Sequence, residues 1–140
     1  VEDGGILRPG NSPGTLYVEG SVTLANTGST LRVTVTNGTA STLALTGGHV
    51  DLDNGGVLSL SGTLDPGNTY TLATFDEQTE DYGSFSKVLL NDSEQDWQDS
   101  GYSVDYGSDS IALIPEPGTL ALVLAGLAVG ARVYRRRRRL

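Results

Sequence analysis

Parts of this chain repeat at a fixed interval of 27 or 28 residues, which restricts its fold more than any other feature. Thr15-Leu16 returns as Thr42-Leu43, 27 residues later. Gly20-Ser21-Val22-Thr23-Leu24 returns as Gly48-His49-Val50-Asp51-Leu52, 28 later, and Leu31 returns as Leu58, again 27 later. A third pass opens at Thr69-Tyr70-Thr71-Leu72, with Tyr70 lying 27 beyond Leu43. Self-similarity at this period is the signature of a solenoid. The repeated pieces are short and alternate: Leu16-Tyr17-Val18, Leu31-Arg32-Val33-Thr34-Val35, Leu43-Ala44-Leu45 and Val57-Leu58-Ser59-Leu60 place apolar groups two apart. That is the period of a strand with one buried face. Asn-Gly, Gly-Gly and Asp-Asn-Gly-Gly separate them, and these residues turn a chain because they tolerate positive φ. Three strands per unit, stacked on the next unit, predict a right-handed parallel β-helix with the inward Leu, Val and Tyr in columns. The alternative is a β-sandwich with evenly spaced strands.

The expected organisation has three parts. Residues 1–75 are β-helix rungs. Residues 76–114 are acidic loops around a strand at Phe85 to Leu90, closed by a β cap at Val104–Tyr106 and Ser110–Ile114. Residues 115–140 form a tail of different composition, joined through a linker at 114–118. The chain carries 9 basic and 17 acidic residues. Arg132 and Arg135 to Arg139 are six of the basic ones and Glu116 is one of the acidic ones, so residues 1–114 hold 3 basic and 16 acidic groups, net −13. An acidic body joined to a basic tail predicts two compartments rather than one partner, and such a body repels nucleic acid. There is no cysteine, hence no disulfide framework and no thiol chemistry. Val1-Glu2-Asp3-Gly4-Gly5 does not resemble a signal peptide, so the expectation is a C-terminal fragment of a longer exported precursor.

The tail reads in three steps. Ile114-Pro115-Glu116-Pro117-Gly118-Thr119 is followed by Leu-Ala-Leu-Val-Leu-Ala-Gly-Leu-Ala-Val-Gly-Ala, then by Arg132-Val133-Tyr134, five arginines and Leu140. Residues 118–134 are at the short limit of a spanning helix, which needs ~17–25 residues. Arg132 can snorkel to the headgroups. Arg135, Arg136, Arg137, Arg138 and Arg139, in the basic end 135–140, form a cytoplasmic anchor under the positive-inside rule. One transmembrane α-helix with its N-terminal side out and its C-terminus cytoplasmic is the expected topology.

An acidic-proline motif, an apolar run and a basic terminus, in that order, resemble the PEP-CTERM sorting signal of Gram-negative bacteria. The resemblance implies an exported protein held transiently at the inner membrane through 118–134. An exosortase then processes it near the sorting motif Pro115, Glu116 and Pro117, and it passes to the cell surface or the medium. It also implies a glycan-bearing surface and an extracellular polysaccharide as a partner. A second likeness covers 6–114 loosely. Ile6-Leu7-Arg8-Pro9-Gly10-Asn11-Ser12-Pro13-Gly14-Thr15-Leu16-Tyr17-Val18 resembles a stretch of autotransporter passenger domains, as do Gly67-Asn68-Thr69-Tyr70-Thr71-Leu72 and the closing Tyr102 to Tyr106 with Ile111-Ala112-Leu113. It implies an adhesin- or stalk-like β-helix, though here the sorting tail replaces the outer-membrane barrel.

Little in the sequence points to catalysis. His49 is the single histidine, and one histidine without cysteine makes no ordinary zinc site. No Gly-x-Ser-x-Gly motif anchors a serine nucleophile. Asp51 and Asp53 alternate on one face and are the weak candidates for a carboxylate pair or for calcium. Asp51-Leu52-Asp53-Asn54-Gly55-Gly56 starts like an EF-hand loop, but Gly55 occupies the fifth position and Gly62 the place of the bidentate glutamate. The expectation is therefore a non-enzymatic protein with no cofactor beyond weak Ca2+. The alternative is the C-terminal part of a β-helical carbohydrate-active enzyme whose catalytic region lies upstream.

Overall fold

The computed structural model describes residues 1–10, 14–36, 38–76 and 81–116. Twelve strands run β1 (Ile6–Leu7), β2 (Thr15–Glu19), β3 (Val22–Thr23), β4 (Thr30–Thr36), β5 (Thr39–Ala40), β6 (Thr42–Thr46), β7 (Val50–Asp51), β8 (Val57–Gly62), β9 (Tyr70–Phe75), β10 (Lys87–Leu90), β11 (Tyr102–Tyr106) and β12 (Ser110–Pro115). The one helix among the described residues is α1 (Glu94–Gln98), five residues long. Ser93 caps it by accepting a 3.1 Å hydrogen bond from the Asp96 N–H.

Alternation decides which way each strand faces. In β4, Leu31, Val33 and Val35 turn inward and are at most 2% exposed, while Thr30, Arg32 and Thr34 stay half-exposed on the other side. β6 and β8 repeat this with Leu43 and Leu45, and with Leu58 and Leu60. Leu24, Val50, Leu52, Leu72, Ile111 and Leu113 complete the interior. Each such side chain contributes about 1.5–3 kcal/mol by leaving water.

Three sheets enclose this core. The first runs β1-β4-β8-β10 with β5 on the flank of β4, the second β11-β12-β9-β6-β2, and the third is the pair β3-β7. Within the first, Leu31 stands opposite Leu58 and Leu58 opposite Val88, in parallel register. Within the second, Leu16 stands opposite Leu43 and Leu43 opposite Ala73, also parallel. Val22 faces Val50 in the third.

The predicted fold class needs correction. The sheets are mixed and do not form a single parallel β-helix. β12 adds to β9 antiparallel, β11 adds to β12 antiparallel, and β5 returns antiparallel on β4. The physical reason lies in chain length: a hairpin needs only a short turn, and Gly107 to Asp109 supply one between β11 and β12, whereas a further parallel strand needs a crossover. The parallel pairing and the third sheet are not those of an antiparallel sandwich either. No helix among the described residues is long and apolar enough to cross a membrane. The transmembrane α-helix expected at 118–134 lies outside the described residues. The autotransporter-like passenger is not what the mixed sheets describe.

The column expected for Tyr70 is also displaced. Leu43 pairs with Ala73, 30 residues on, and Leu58 with Val88, 30 on. Both intervals exceed 27 by three. One insertion accounts for them: the loop Thr63 to Thr69 between β8 and β9 is longer than its counterpart in the preceding unit. Tyr70 consequently starts β9 and turns towards the closing hairpin.

Candidate functional site

The structure places the start of the tail inside a sheet. β12 is an internal strand, paired with β11 on one side and β9 on the other. Leu113 is fully buried and faces Val104 and Tyr70. Pro115, the first residue of the acidic-proline motif, is the register partner of Tyr102. The Glu116 N–H then donates to the Gly101 carbonyl at 2.8 Å, and the Glu116 side chain is exposed. The linker expected from residue 114 therefore begins after the sheet. Pro117, Arg132 and Arg135 to Arg139 lie outside the described residues.

Tyrosines hold the hairpin at both ends. At the exit of the tail, the Tyr102 hydroxyl donates to the carbonyls of Asp65 at 2.6 Å and Asn68 at 2.8 Å. The Tyr70 hydroxyl accepts from the Asp65 N–H at 2.6 Å, and the two rings lie 6.0 Å apart. At the far end the Tyr82 hydroxyl donates to the Gly107 carbonyl at 2.7 Å, and the Phe85 N–H donates to the Tyr106 hydroxyl at 3.0 Å. Tyr82 sits edge-on to Phe75 at 5.4 Å and to Tyr106 at 6.2 Å. Such pairs add about 0.5–1.5 kcal/mol to simple burial. Burial pushes the Tyr82 phenol up to about 12, helped by Tyr106, Asp105 and Asp109. Burial likewise raises Tyr102 and Tyr106.

The other candidates from sequence stand apart from this exit. Asp51 ends β7, and its carboxylate accepts the Asp53 N–H at 3.0 Å, so it closes its own turn. Asp53 is exposed in that turn. Among the described residues no three His, Cys, Asp or Glu side chains gather where they can hold a metal. His49 is half-buried between β3 and β7, with its N–H on the Ser21 hydroxyl and its carbonyl on the Val22 N–H. The tyrosine clamps escaped the sequence reading because their partners lie 25 to 37 residues away, where no periodic signal reaches.

The fold and its exit define an all-β body that runs directly into a C-terminal tail. Residues 113–139 match the PEP-CTERM protein-sorting motif. That motif supports an exported protein, sorted to the cell surface by an exosortase. Neither a curated protein nor a solved structure matches the chain.

Proposed function

We propose that this chain is a non-catalytic surface or extracellular-matrix protein of adhesin- or stalk-like role. Its apolar residues 118–134 hold it at the inner membrane until an exosortase acts at Pro115-Glu116-Pro117, with the body outside and the arginines in the cytoplasm. An extracellular polysaccharide is its partner after release. The observation that carries this reading is the overlap of the matched motif with β12: the sorting motif begins at Leu113, a core residue, so body and signal are one continuous structure. A cut after β12 releases the body whole, whereas a cut before Ile111 removes part of the core. The order of motif, apolar run and arginines supports the orientation.

The test is mass spectrometry of the product in a host that contains an exosortase. The expected product keeps the peptide through Pro115 and contains nothing from Leu120 to Leu140. An intact tail on surface-exposed protein overturns the processing step. Replacing Arg135 to Arg139 by glutamine is expected to reduce correctly oriented, processed protein, measured as the fraction of the chain accessible to external protease.

A further inference from the structure

The cations of the acidic body are gathered on one side of it. Residues 1–114 hold only Arg8, Arg32 and Lys87 as basic groups, against 16 carboxylates. Arg8 directly follows β1, Arg32 is in β4, and Lys87 opens β10. All three strands belong to the first sheet, ordered β1-β4-β8-β10. Leu31, Leu58 and Leu60 point into the core, so the alternate positions, Arg32, Ser59 and Lys87 among them, face away from it. Leu7 stands opposite Leu31, and continuing that register brings Arg8 level with Arg32. Among the described residues, no strand of this sheet contributes an aspartate or a glutamate. The acidic groups at its margins, Asp3 beside Gly28 and Asp92 after β10, sit in turns beyond the strand ends.

The face is flat, and one of its donors is unmet. The Arg32 Nε is buried and has no hydrogen-bond partner. Its register neighbour Ser59 points away from the core, yet is only 3% exposed. The Arg32 guanidinium thus lies down along the sheet with a donor awaiting an acceptor, a costly arrangement in an otherwise paired structure.

We propose that this outer face of the β1-β4-β8-β10 sheet binds a slender acidic polymer, a polysaccharide bearing carboxylates, with Arg32 and Lys87 receiving successive anionic groups. Arginine pairs with carboxylates through its planar fork, and lysine meets them as a point charge. Two strand spacings separate β4 from β10, about 10 Å. One small anion does not bridge that gap, whereas a chain with repeated anions does. A bilayer is the poorer fit, because a side chain lying flat does not reach headgroups and a net −13 body is repelled by an extended anionic surface. A thin chain laid on the sheet meets only the basic side, since the carboxylates on other faces are screened beyond ~8 Å at physiological salt. The choice of a sugar polymer rests on the proposed surface role; the anionic chemistry rests on the face alone.

The experiment uses the full chain, detergent-solubilised, with polygalacturonate as the probe and neutral dextran and phosphatidylglycerol vesicles alongside. Wild type is expected to bind polygalacturonate in a salt-sensitive way and to ignore dextran. R32Q and K87Q should each weaken binding several-fold, and the double variant at least tenfold. The arginines of the tail are common to all four proteins, so the difference between them reports the face. Circular dichroism melts check that the variants are folded. Lys87 is exposed, so K87Q reads the face even where R32Q disturbs packing. A folded double variant that binds like wild type overturns the proposal. So does equal binding to dextran, or a loss that appears with vesicles and not with the polymer. No exosortase takes part, so failure here leaves the sorting reading untouched, and failure of the processing test leaves this one untouched.

Discussion

Pro115 faces Tyr102 as the last register pair of the closing hairpin, so the first proline of the sorting motif is a residue of the sheet. Proline is tolerated at the end of a strand, where its missing N–H breaks no ladder. The next N–H, that of Glu116, is still pinned to Gly101. An enzyme that engages the motif as an extended peptide must work at the rim of a folded body, beside the loop that Tyr102 grips.

Two truncations test that arrangement. A chain ending at Pro117 keeps every strand and should melt like the body of the full protein. A chain ending at Gly107 loses β12, with Ile111 and Leu113 at 1% and 0% exposure. Two such side chains are worth about 3–6 kcal/mol, so the second truncation should unfold at far lower urea. Equal urea midpoints for the two would show that β12 is dispensable, and the continuity of body and signal would lose its meaning.

Asn91 supports the other long sheet by a similar device. Its amide accepts the Gly62 N–H at 2.9 Å and donates to the Gly62 carbonyl at 2.9 Å. Its backbone N–H reaches the Leu60 carbonyl at 2.8 Å. The side chain thereby continues β10 by one peptide-like unit after the backbone has turned away at φ 51°. Asn91→Ala removes two hydrogen bonds of about 0.5–1.5 kcal/mol each and leaves alanine at positive φ. The expected loss is about 2–3 kcal/mol in urea denaturation. Asn91→Asp keeps the acceptor and should lose less; an alanine variant as stable as wild type would remove this contact from the account.

These particular residues show what the sequence reveals. Leu16 over Leu43, Val22 over Val50 and Leu31 over Leu58 are legible because each pair repeats a local pattern at one interval. Tyr70 is not, because three extra residues between β8 and β9 shift everything after them, and a spacing argument cannot see an insertion within polar loop residues. The antiparallel closure is hidden for a related reason. β11 and β12 alternate like any strand, and alternation carries no direction. At the site, the order of Pro-Glu-Pro, apolar run and arginines is a linear feature and reads directly. That Pro115 belongs to a strand does not read, since proline on both sides of Glu116 looks like a break.

Close backbone approach gives a further test. A Cβ on Gly48 would collide with the Gly20 backbone of the neighbouring turn, and one on Gly62, at φ +121°, would collide with the Val35 carbonyl. Backbone cannot swing aside as a side-chain tip can. Gly48→Ala is therefore expected to cost about 1–3 kcal/mol through overpacking, and Gly62→Ala more, because conformational strain adds to the clash. Gly20→Ala meets open space and should cost only the strain of its own positive φ. Thermal melts of the three variants should rank Gly62 below Gly48 below Gly20; the reverse order would mean that the turns stack less closely than described.

The tyrosine clamps predict an alkaline limit to stability. Burial first, then the charges of Tyr106, Asp105 and Asp109, raise the Tyr82 phenol from 10.0 to about 12. Burial also raises Tyr102 and Tyr106. A pKa raised in the folded state means that the unfolded chain gives up its proton first as pH rises. The stabilisation is thus fully present below pH 10 and is lost as pH climbs through the folded value near 12. The phenolate absorbance of the native protein should accordingly show a late component that vanishes in denaturant. Tyr82→Phe should remove part of that component and flatten the fall of stability between pH 10 and 12. Asp105→Asn with Asp109→Asn should bring the Tyr82 ionisation down only slightly, because burial is the larger cause. If the double aspartate variant restores an ordinary phenol while the packing is intact, charge rather than burial governs the clamp, and the hairpin is held more loosely than its hydrogen bonds to Gly107 and Asp65 imply.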